Sequence, residues 1–580
     1  MELSGGDVIA KVLKDYRISN IFTLSGGHIS PILVGCKRAG INVVDVRNEA
    51  NAVFAADATA RITGIPGVAV VTAGPGVTNT ITALKNAQMA QSPLVLFGGS
   101  AATVIKGRGS LQDIDQISLL KSTVKFAVTV NRNCDIIPAI EHAFEAAKSG
   151  VPGPVFVECP IDILYDETMV RLWYEASGNG PPSKSLKSRI FQFYIHRHLD
   201  KIFECDLDTM EPEPPNITIP EPDTAKTNKA VRLLSAAEKP VLLVGSQAML
   251  CSDSVDDLSK AVTSLGMPIY LAGMARGLLG ATSSLQIRHH RKNALKNADL
   301  VMIAGMPCDF RLNYGRAINS KATLISINRS KTDLTMNRKP ELGILADPCQ
   351  FLCNLAKHQF NKPADWKRWI ESLRTSDKER EEEINDMAAE NTDLINPLTF
   401  LKTLDSFLDD DSILVADGGD FVATSSYTLR PRGPLSWLDP GVFGTLGVGA
   451  GFALGAKLCR PESEVWIIYG DGSAGYSLQE FDTFVRHRIP VIAVVGNDAS
   501  WAQIARDQVE VLGDDVATVL RRSDYHTVAE GFGGKGFLLK DAEQIRPVLE
   551  KAKQVAGKGI PVLINVHLGK TDFRKGSISM

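Results

Sequence analysis

Short runs of branched and aromatic apolar residues, each released into glycine, asparagine or a carboxylate, recur along all 580 residues and constrain the fold more than any other feature. Uninterrupted apolar runs of strand length mark strands buried on both faces of a parallel sheet, because strands with one wet face would alternate instead. In the first third they fall at 21–24, 42–46, 68–72, 94–97 and 155–158; in the middle at 241–245, 268–271, 300–305 and 324–328. The last third carries 413–417, 465–469, 491–495 and 562–566. Stretches of helical spacing separate them, which is the pattern of doubly wound α/β sheets. A chain this long exceeds what one hydrophobic core usually organises. The expectation is an α/β protein of three doubly wound parallel-sheet domains, at 1–170, 226–360 and 396–567, with a tail at 568–580.

Two segments join these domains. Residues 361–395 include the charged run 378–383, expected to be a solvated helical connector. Residues 171–225 hold a Pro- and acid-rich loop at 211–222, preceded by 186–203. In that stretch Ile190, Phe191, Tyr194, Ile195, Leu199, Ile202 and Phe203 recur at roughly helical spacing, predicting an amphipathic helix. It would pack on a neighbouring domain or touch a membrane surface or acyl chain.

Composition excludes several classes of function. Apolar residues make up 44% and charged residues 22%, with a net charge of -3, so nothing points to a nucleic-acid partner. No run of about 18 apolar residues would span a bilayer, and no apolar leader opens the chain. The sequence as written therefore reads as soluble and cytoplasmic. The nine cysteines are odd in number and scattered, the reading for unpaired thiols in a reducing compartment. Cys349 and Cys353 could share a helix face, but no second pair completes a tetrahedral zinc site.

The strongest chemical signal is Gly470-Asp471-Gly472 at the end of an apolar run, with Asn497-Asp498 after the next one, 27 residues from Asp471 to Asp498. Carboxylate oxygens at adjacent strand ends suit a hard divalent cation such as Mg2+, which commonly shares its shell with phosphates. Glycines on either side let phosphate oxygens approach the backbone. The glycine clusters at 447–451 and 531–536 lack the spacings of nucleotide loops.

This pattern resembles the thiamine-diphosphate enzyme superfamily, whose fingerprint is Gly-Asp-Gly followed, at about this interval, by Asn-Asn. The resemblance runs from Gly5 to the end of the chain and implies pyrimidine-binding, central and diphosphate-binding domains in that order. It implies metal ligation by Asp471, Asp498 and the Ser500 carbonyl, with Gly470, Gly472 and Ser473 beside the diphosphate. Asp498 departs from the usual asparagine and adds a negative charge there. Glu49, after the second strand, takes the place of the glutamate that hydrogen-bonds the coenzyme's aminopyrimidine; its alternative role is a carboxylate at a helix N-terminus. The turn from Ala73 to Asn79 would line the pyrimidine through Pro75 and Asn79. In Gly444-Thr445-Leu446-Gly447, Leu446 would wedge between the coenzyme's rings, with Gly444 alongside; Asp420 and Phe421 would contact the diphosphate.

Residues 443–457, 471–498 and 570–578 resemble most the 2-hydroxyacyl-CoA lyase branch, with acetolactate synthases as the alternative. That branch implies an acyl-CoA substrate, with His28 in Ser25-Gly26-Gly27-His28 as the base and Gln112 pointed at substrate; Trp501 and Gln503 would line its pocket. It implies a homodimer or homotetramer with sites shared between subunits, and an endoplasmic reticulum membrane location only for chains carrying an N-terminal anchor. In the central domain, Gly245-Ser246-Gln247, Met274 to Gly277 and Asp309-Phe310-Arg311 lie where relatives hold FAD, an ADP-like nucleotide or CoA itself. Pro307 stands where flavin-binding members tend to have arginine.

Overall fold

The computed structural model describes residues 3–176, 186–359, 362–363 and 365–575. Among these described residues, seventeen strands form three sheets in which every strand pairing is parallel. The first sheet holds β1 (Asn20–Leu24), β2 (Asn42–Asp45), β3 (Gly67–Val71), β4 (Leu94–Ser100), β5 (Phe126–Thr129) and β6 (Pro154–Pro160) in the order β2-β1-β3-β4-β6-β5. The second holds β7 (Pro240–Val244), β8 (Ile269–Leu271), β9 (Leu300–Ala304), β10 (Thr323–Asn328) and β11 (Leu342–Leu345) in the order β11-β10-β9-β7-β8. In the third, β12 (Ile413–Asp417), β13 (Trp437–Leu438), β14 (Val465–Gly470), β15 (Ile492–Asn497), β16 (Lys535–Leu539) and β17 (Val562–His567) are ordered β13-β12-β14-β15-β17-β16.

The central strands β3, β4, β6, β7, β9 and β12 are buried at every residue, as their unbroken apolar runs require. Strand order reverses between β1 and β3 in the first sheet, and between β12 and β14 in the third. In open α/β sheets ligands bind outside the carboxyl ends of strands at such points. His28 and the turn beginning at Ala73 follow β1 and β3, while Asp417 to Phe421 and Gly470 to Ser473 follow β12 and β14. The chain divides into two compact units, residues 1–60 with 65–218, and 219–580 with 61–64.

Four sequence expectations change. The cysteines are not all unpaired: Cys134–Cys205 and Cys251–Cys349 form disulfides, with Cα atoms 5.4 and 6.4 Å apart. Their partners lie 71 and 98 residues apart in sequence, a proximity only the fold creates. Cys349 thus turns to Cys251 rather than to its helix neighbour Cys353. Second, the apolar stripe on the helix Leu186–Ile202 is split. Ile195, Leu199 and Ile202 join the core of the first unit, whereas Ile190 and Tyr194 are 60% and 56% exposed; the Phe191 side chain lies outside the described residues. Third, the helix Asp365–Ala389 is more than a solvated connector, because Trp366, Trp369, Leu373 and Ile384 are buried. The indoles of Trp366 and Trp369 donate to Ala237 O and Pro240 O at 2.7 and 3.1 Å. Fourth, Glu381, inside its charged run, accepts from Arg288 and His289 at 3.2 and 3.0 Å. Among the described residues no helix is long and apolar enough to cross a membrane.

Candidate active site

The first unit supplies one half of the constellation. Asn48 caps the helix Glu49–Thr63 by accepting from Ala50 N at 2.9 Å, which sets Glu49 in the first turn with only 6% exposure. The Asn79 amide donates to Glu49 Oε2 at 2.9 Å. Pro75 opens the short helix Pro75–Thr78, and both Pro75 and Asn79 are exposed, leaving an open edge beside a buried carboxylate. His28 sits after β1 and shares a 3.2 Å hydrogen bond between Nδ1 and the Thr72 hydroxyl. Burial holds its imidazole below the ordinary value, so the ring stays neutral at pH 7. Gln112 lies on the loop after β4 with φ of 63°, and its backbone packs on Gly74: a Cβ added there would come within 2.7 Å of the Gln112 carbonyl oxygen.

The other half belongs to the second unit. β14 ends in Gly470, and Asp471 starts the next helix, 3% exposed. Its Oδ1 accepts from Gly472 N at 2.9 Å, while Oδ2 is buried without a partner. Asp498, after β15, accepts from Ser500 N at 3.1 Å. Between them Ala499 adopts φ of 59°, a left-handed conformation that costs a residue with a Cβ on the order of 1–3 kcal/mol and persists mainly at functional sites. Burial pushes the Asp471 carboxyl up to about 6; burial and the charge of Asp471 push Asp498 up to about 7. Two buried carboxylates, Asp471 with an orphaned oxygen and Asp498 raised by the charge of Asp471, form a donor set of hard oxygens, and this fits Mg2+. Gly472 has no room for a side chain, since a Cβ would lie 2.4 Å from the Trp501 ring.

The remaining expected residues divide. Leu446 is half-buried between Gly444 and Gly447, both at positive φ. Ser473 donates to Asp417 O and Gly470 O at 2.5 and 2.9 Å, locking the ends of β12 and β14 together. Arg506 and Arg574 pair with the Asp420 carboxylate, and Phe421 is 5% exposed against Gly496. With both side chains so engaged, what these two residues present is backbone N–H at the start of the helix Asp420–Thr428. A cavity of about 690 Å³ adjoins them, lined by Asp498, Ser500, Arg506, Lys570 and Arg574.

Two residues without an assigned role in the sequence reading organise these loops. Asp417 is fully buried and accepts from Gly447 N at 3.0 Å and Gly449 N at 2.7 Å, which fixes the loop carrying Leu446. Gln116 does the same for the Gly74 turn. The sequence signal for Asp417 was a carboxylate ending an apolar run; nothing local marks Gln116.

The second unit holds another cavity, of about 790 Å³, walled by Arg276, Arg288, Arg291, Arg311, Tyr314 and Tyr427. Burial lowers the pKa of Arg276, Arg288 and Arg291, and Arg276 and Arg311 press further on Arg291. Glu381 offsets Arg288 at 3.2 Å and Asp309 offsets Arg311 at 2.7 Å, whereas Arg276 feels the charge of Asp439, donates to Ser426 O at 3.0 Å and, among the described residues, has no hydrogen-bond partner at Nε. Arginine stays protonated, so the crowding calls for an anion. At the carboxyl ends of β7 and β10, by contrast, buried polar groups satisfy one another. Gln247 donates to Asn328 and accepts from Arg329 N, at 2.9 and 2.6 Å, and Arg329 pairs with Asp347 at 2.5 Å.

Models of the thiamine pyrophosphate enzyme N-terminal TPP binding domain, central domain and C-terminal TPP binding domain match residues 3–119, 227–355 and 417–566. The chain belongs to the thiamine pyrophosphate enzymes. Its three parallel-sheet domains are those of this family. Among its relatives, the 2-hydroxyacyl-CoA lyase 2 of Danio rerio is 52% identical, covering 99% of this chain and 93% of that one. The Homo sapiens protein of the same name is 48% identical, with 99% and 92% covered. The acetolactate synthase large subunit of Mycobacterium tuberculosis is 33% identical, with 97% and 95% covered. This thiamine pyrophosphate enzyme therefore has both of its family's TPP binding domains, the N-terminal one in the first unit and the C-terminal one in the second.

Proposed function

We propose that this enzyme is a Mg2+-dependent 2-hydroxyacyl-CoA lyase, splitting the bond between C1 and C2 of a 2-hydroxy fatty acyl-CoA to give formyl-CoA and an aldehyde one carbon shorter, a step of fatty acid α-oxidation. The observation that carries this reading is the arginine-walled cavity, whose excess positive charge suits the phosphorylated end of CoA and has no use for a small 2-oxo acid. Relatives named for this activity, at 48–52% identity, support it. The helix Asp420–Thr428 borders both cavities, with Asp420 and Phe421 lining one and Ser426 and Tyr427 the other. One acyl-CoA could then be anchored by its nucleotide while its thioester meets the coenzyme.

When bound, the coenzyme supplies a nucleophilic carbon and an electron sink for cleavage beside a carbonyl. Glu49 would hold a proton at the pyrimidine ring, and Asp471, Asp498 and the Ser500 carbonyl would hold Mg2+ against the diphosphate. His28, neutral at pH 7, would take the 2-hydroxyl proton as the carbon-carbon bond breaks. Leu446, Gly444, Pro75 and Asn79 would shape the coenzyme's pocket, and Gln112 would face the substrate. The open edge at Pro75 and Asn79 supports a homodimer, or a homotetramer made of two such dimers, in which a second copy supplies the diphosphate half. The exposed Ile190 and Tyr194 support a membrane-surface contact for the helix Leu186–Ile202.

The satisfied network at Gln247, Asn328, Arg329 and Asp347 favours the arginine cavity as the nucleotide site over FAD in the neighbouring crevice; yellow colour in the purified protein would reverse that choice. The test of the whole reading compares a full acyl-CoA with a truncated thioester lacking the nucleotide. Arg291→Ala is expected to raise KM for the former about tenfold or more and leave the latter unchanged. Equal effects on both, or acetolactate formed from pyruvate in preference to aldehyde release, would select the carboligase instead.

A further inference from the structure

Gln116 opens the short helix Gln116–Leu120 and is 1% exposed, yet its side chain reaches three different segments. Its Oε1 accepts from Gly74 N at 2.9 Å; its Nε2 donates to Gly99 O at 3.1 Å and to Glu158 Oε1 at 2.8 Å. Glu158 lies in β6 with no exposure, accepts from the Thr129 hydroxyl at 2.7 Å, and forms an ion pair with Lys106. A carboxylate buried this deeply keeps its charge only with such partners, and they become costly to remove. Lys106 and Gln116 bracket the loop that carries Gln112, so one buried carboxylate grips that loop at both ends. A second, Asp162, holds its start by accepting from Thr103 N at 2.9 Å and from the Thr103 hydroxyl at 2.6 Å.

Gly74 is the meeting point. Its φ of 61° and the 2.7 Å approach of the Gln112 carbonyl oxygen leave no space for a side chain, and its N–H is spent on Gln116. Five residues on, Asn79 donates to Glu49. A continuous path of polar bonds and close packing, buried at Gln116, thus runs from Lys106 and Glu158 through Gln116 to Gly74 and on through Asn79 to Glu49.

We propose that Gln116 is a positioning residue that makes the coenzyme turn and the substrate loop a single rigid piece, with the Lys106–Glu158 ion pair as its foundation. The proposal rests on the reading above, in which the turn walls the pyrimidine and Gln112 faces the substrate. Gln116 itself touches neither ligand, and its effect reaches both through Gly74.

Gln116→Met keeps length and removes the three hydrogen bonds. It is expected to weaken coenzyme binding, measured by calorimetry with Mg2+, by about tenfold, the loss of roughly one buried polar interaction, and to raise acyl-CoA KM with it. Gln112→Ala should then add less in the Gln116→Met background than in the parent, the signature of shared coupling. Ile140→Val, a core truncation in the same unit, should lower the melting temperature without moving either constant. Unchanged coenzyme affinity and KM in Gln116→Met, or additive effects with Gln112→Ala, would overturn the proposal. Failure of the parent to bind the coenzyme would instead bring down the reading of the turn, and this proposal with it. Hydrogen exchange on the parent holoenzyme tests the same point without a variant. Coenzyme binding should slow exchange at 101–115 as well as at 73–79, and protection confined to 73–79 would refute the coupling.

Discussion

The Asn79 side-chain amide donates to Glu49 Oε2 across 2.9 Å, joining the end of the turn that begins at Ala73 to the first turn of the helix Glu49–Thr63. The bond orients a carboxylate that is 94% removed from solvent when the exposure of 6% is taken from the whole. Replacing Glu49 with glutamine preserves shape and hydrogen bonding but removes the ability to manage a proton. Turnover is expected to fall by about a thousandfold, within the range for acid–base groups, with the melting temperature nearly unchanged. Stopped-flow kinetics and thermal unfolding measure the two; near-normal turnover would remove Glu49 from the mechanism.

His28→Ala should reduce the cleavage rate more than coenzyme affinity, because the role proposed for the ring is to take the substrate's 2-hydroxyl proton. Burial lowers the His28 pKa, so the acid limb of the kcat profile should lie below about 6.5, the ordinary histidine value. In His28→Ala that limb should vanish. A limb that persists unchanged assigns it to another group.

Asp498→Asn puts a neutral side chain at one of the proposed metal ligands and relieves the repulsion with Asp471. Losing one carboxylate from a hard-cation site should raise the Mg2+ concentration needed for half-maximal coenzyme binding, by about tenfold. A titration of coenzyme binding against Mg2+ gives the answer directly, and an unchanged midpoint would place the ion elsewhere.

Glu381→Gln probes the charged helix. Burial alone would raise this carboxyl, but the His289 hydrogen bond and the charges of Arg288 and Arg430 hold it at about 2. A depressed carboxyl stabilises the fold above its unfolded value, near 4.5, and that contribution is lost as pH falls toward 2. Allowing for solvent screening, Glu381→Gln should cost about 1–2 kcal/mol at neutral pH and much less at pH 3. Urea unfolding at the two pH values tests the sign, and a cost that grew on acidification would contradict it.

The strands absent from the sequence reading are β5, β11, β13 and β16, and each lies at an edge of its sheet. An edge strand pairs on one side and keeps water on the other, which dilutes the apolar run: β5 is half-buried throughout, and β13 is only two residues long. The interior strands had no such freedom and were legible. The same division holds at the candidate site. Glu49, Asp471 and Asp498 stand out because their chemistry is local to a motif, whereas Gln116 and Asp417 act on backbone amides 42 and about 30 residues away. Their role exists only once the loops have met. The disulfides Cys134–Cys205 and Cys251–Cys349 were hidden for the same reason.

Gly472 lies against the Trp501 ring, a contact too close for any side chain on the glycine. An indole so placed is sensitive to any change in polarity or charge at the Asp471 and Asp498 loops, so its emission becomes an intrinsic optical reporter of their occupancy. Of the other five tryptophans, Trp437 and Trp466 are fully buried, Trp366 and Trp369 nearly so, and Trp173, 37% exposed, lies in the first unit, so they should contribute a steady background. Filling the loops should therefore alter the fluorescence of the unlabelled protein, and Trp501→Phe should render it dark to the same titration.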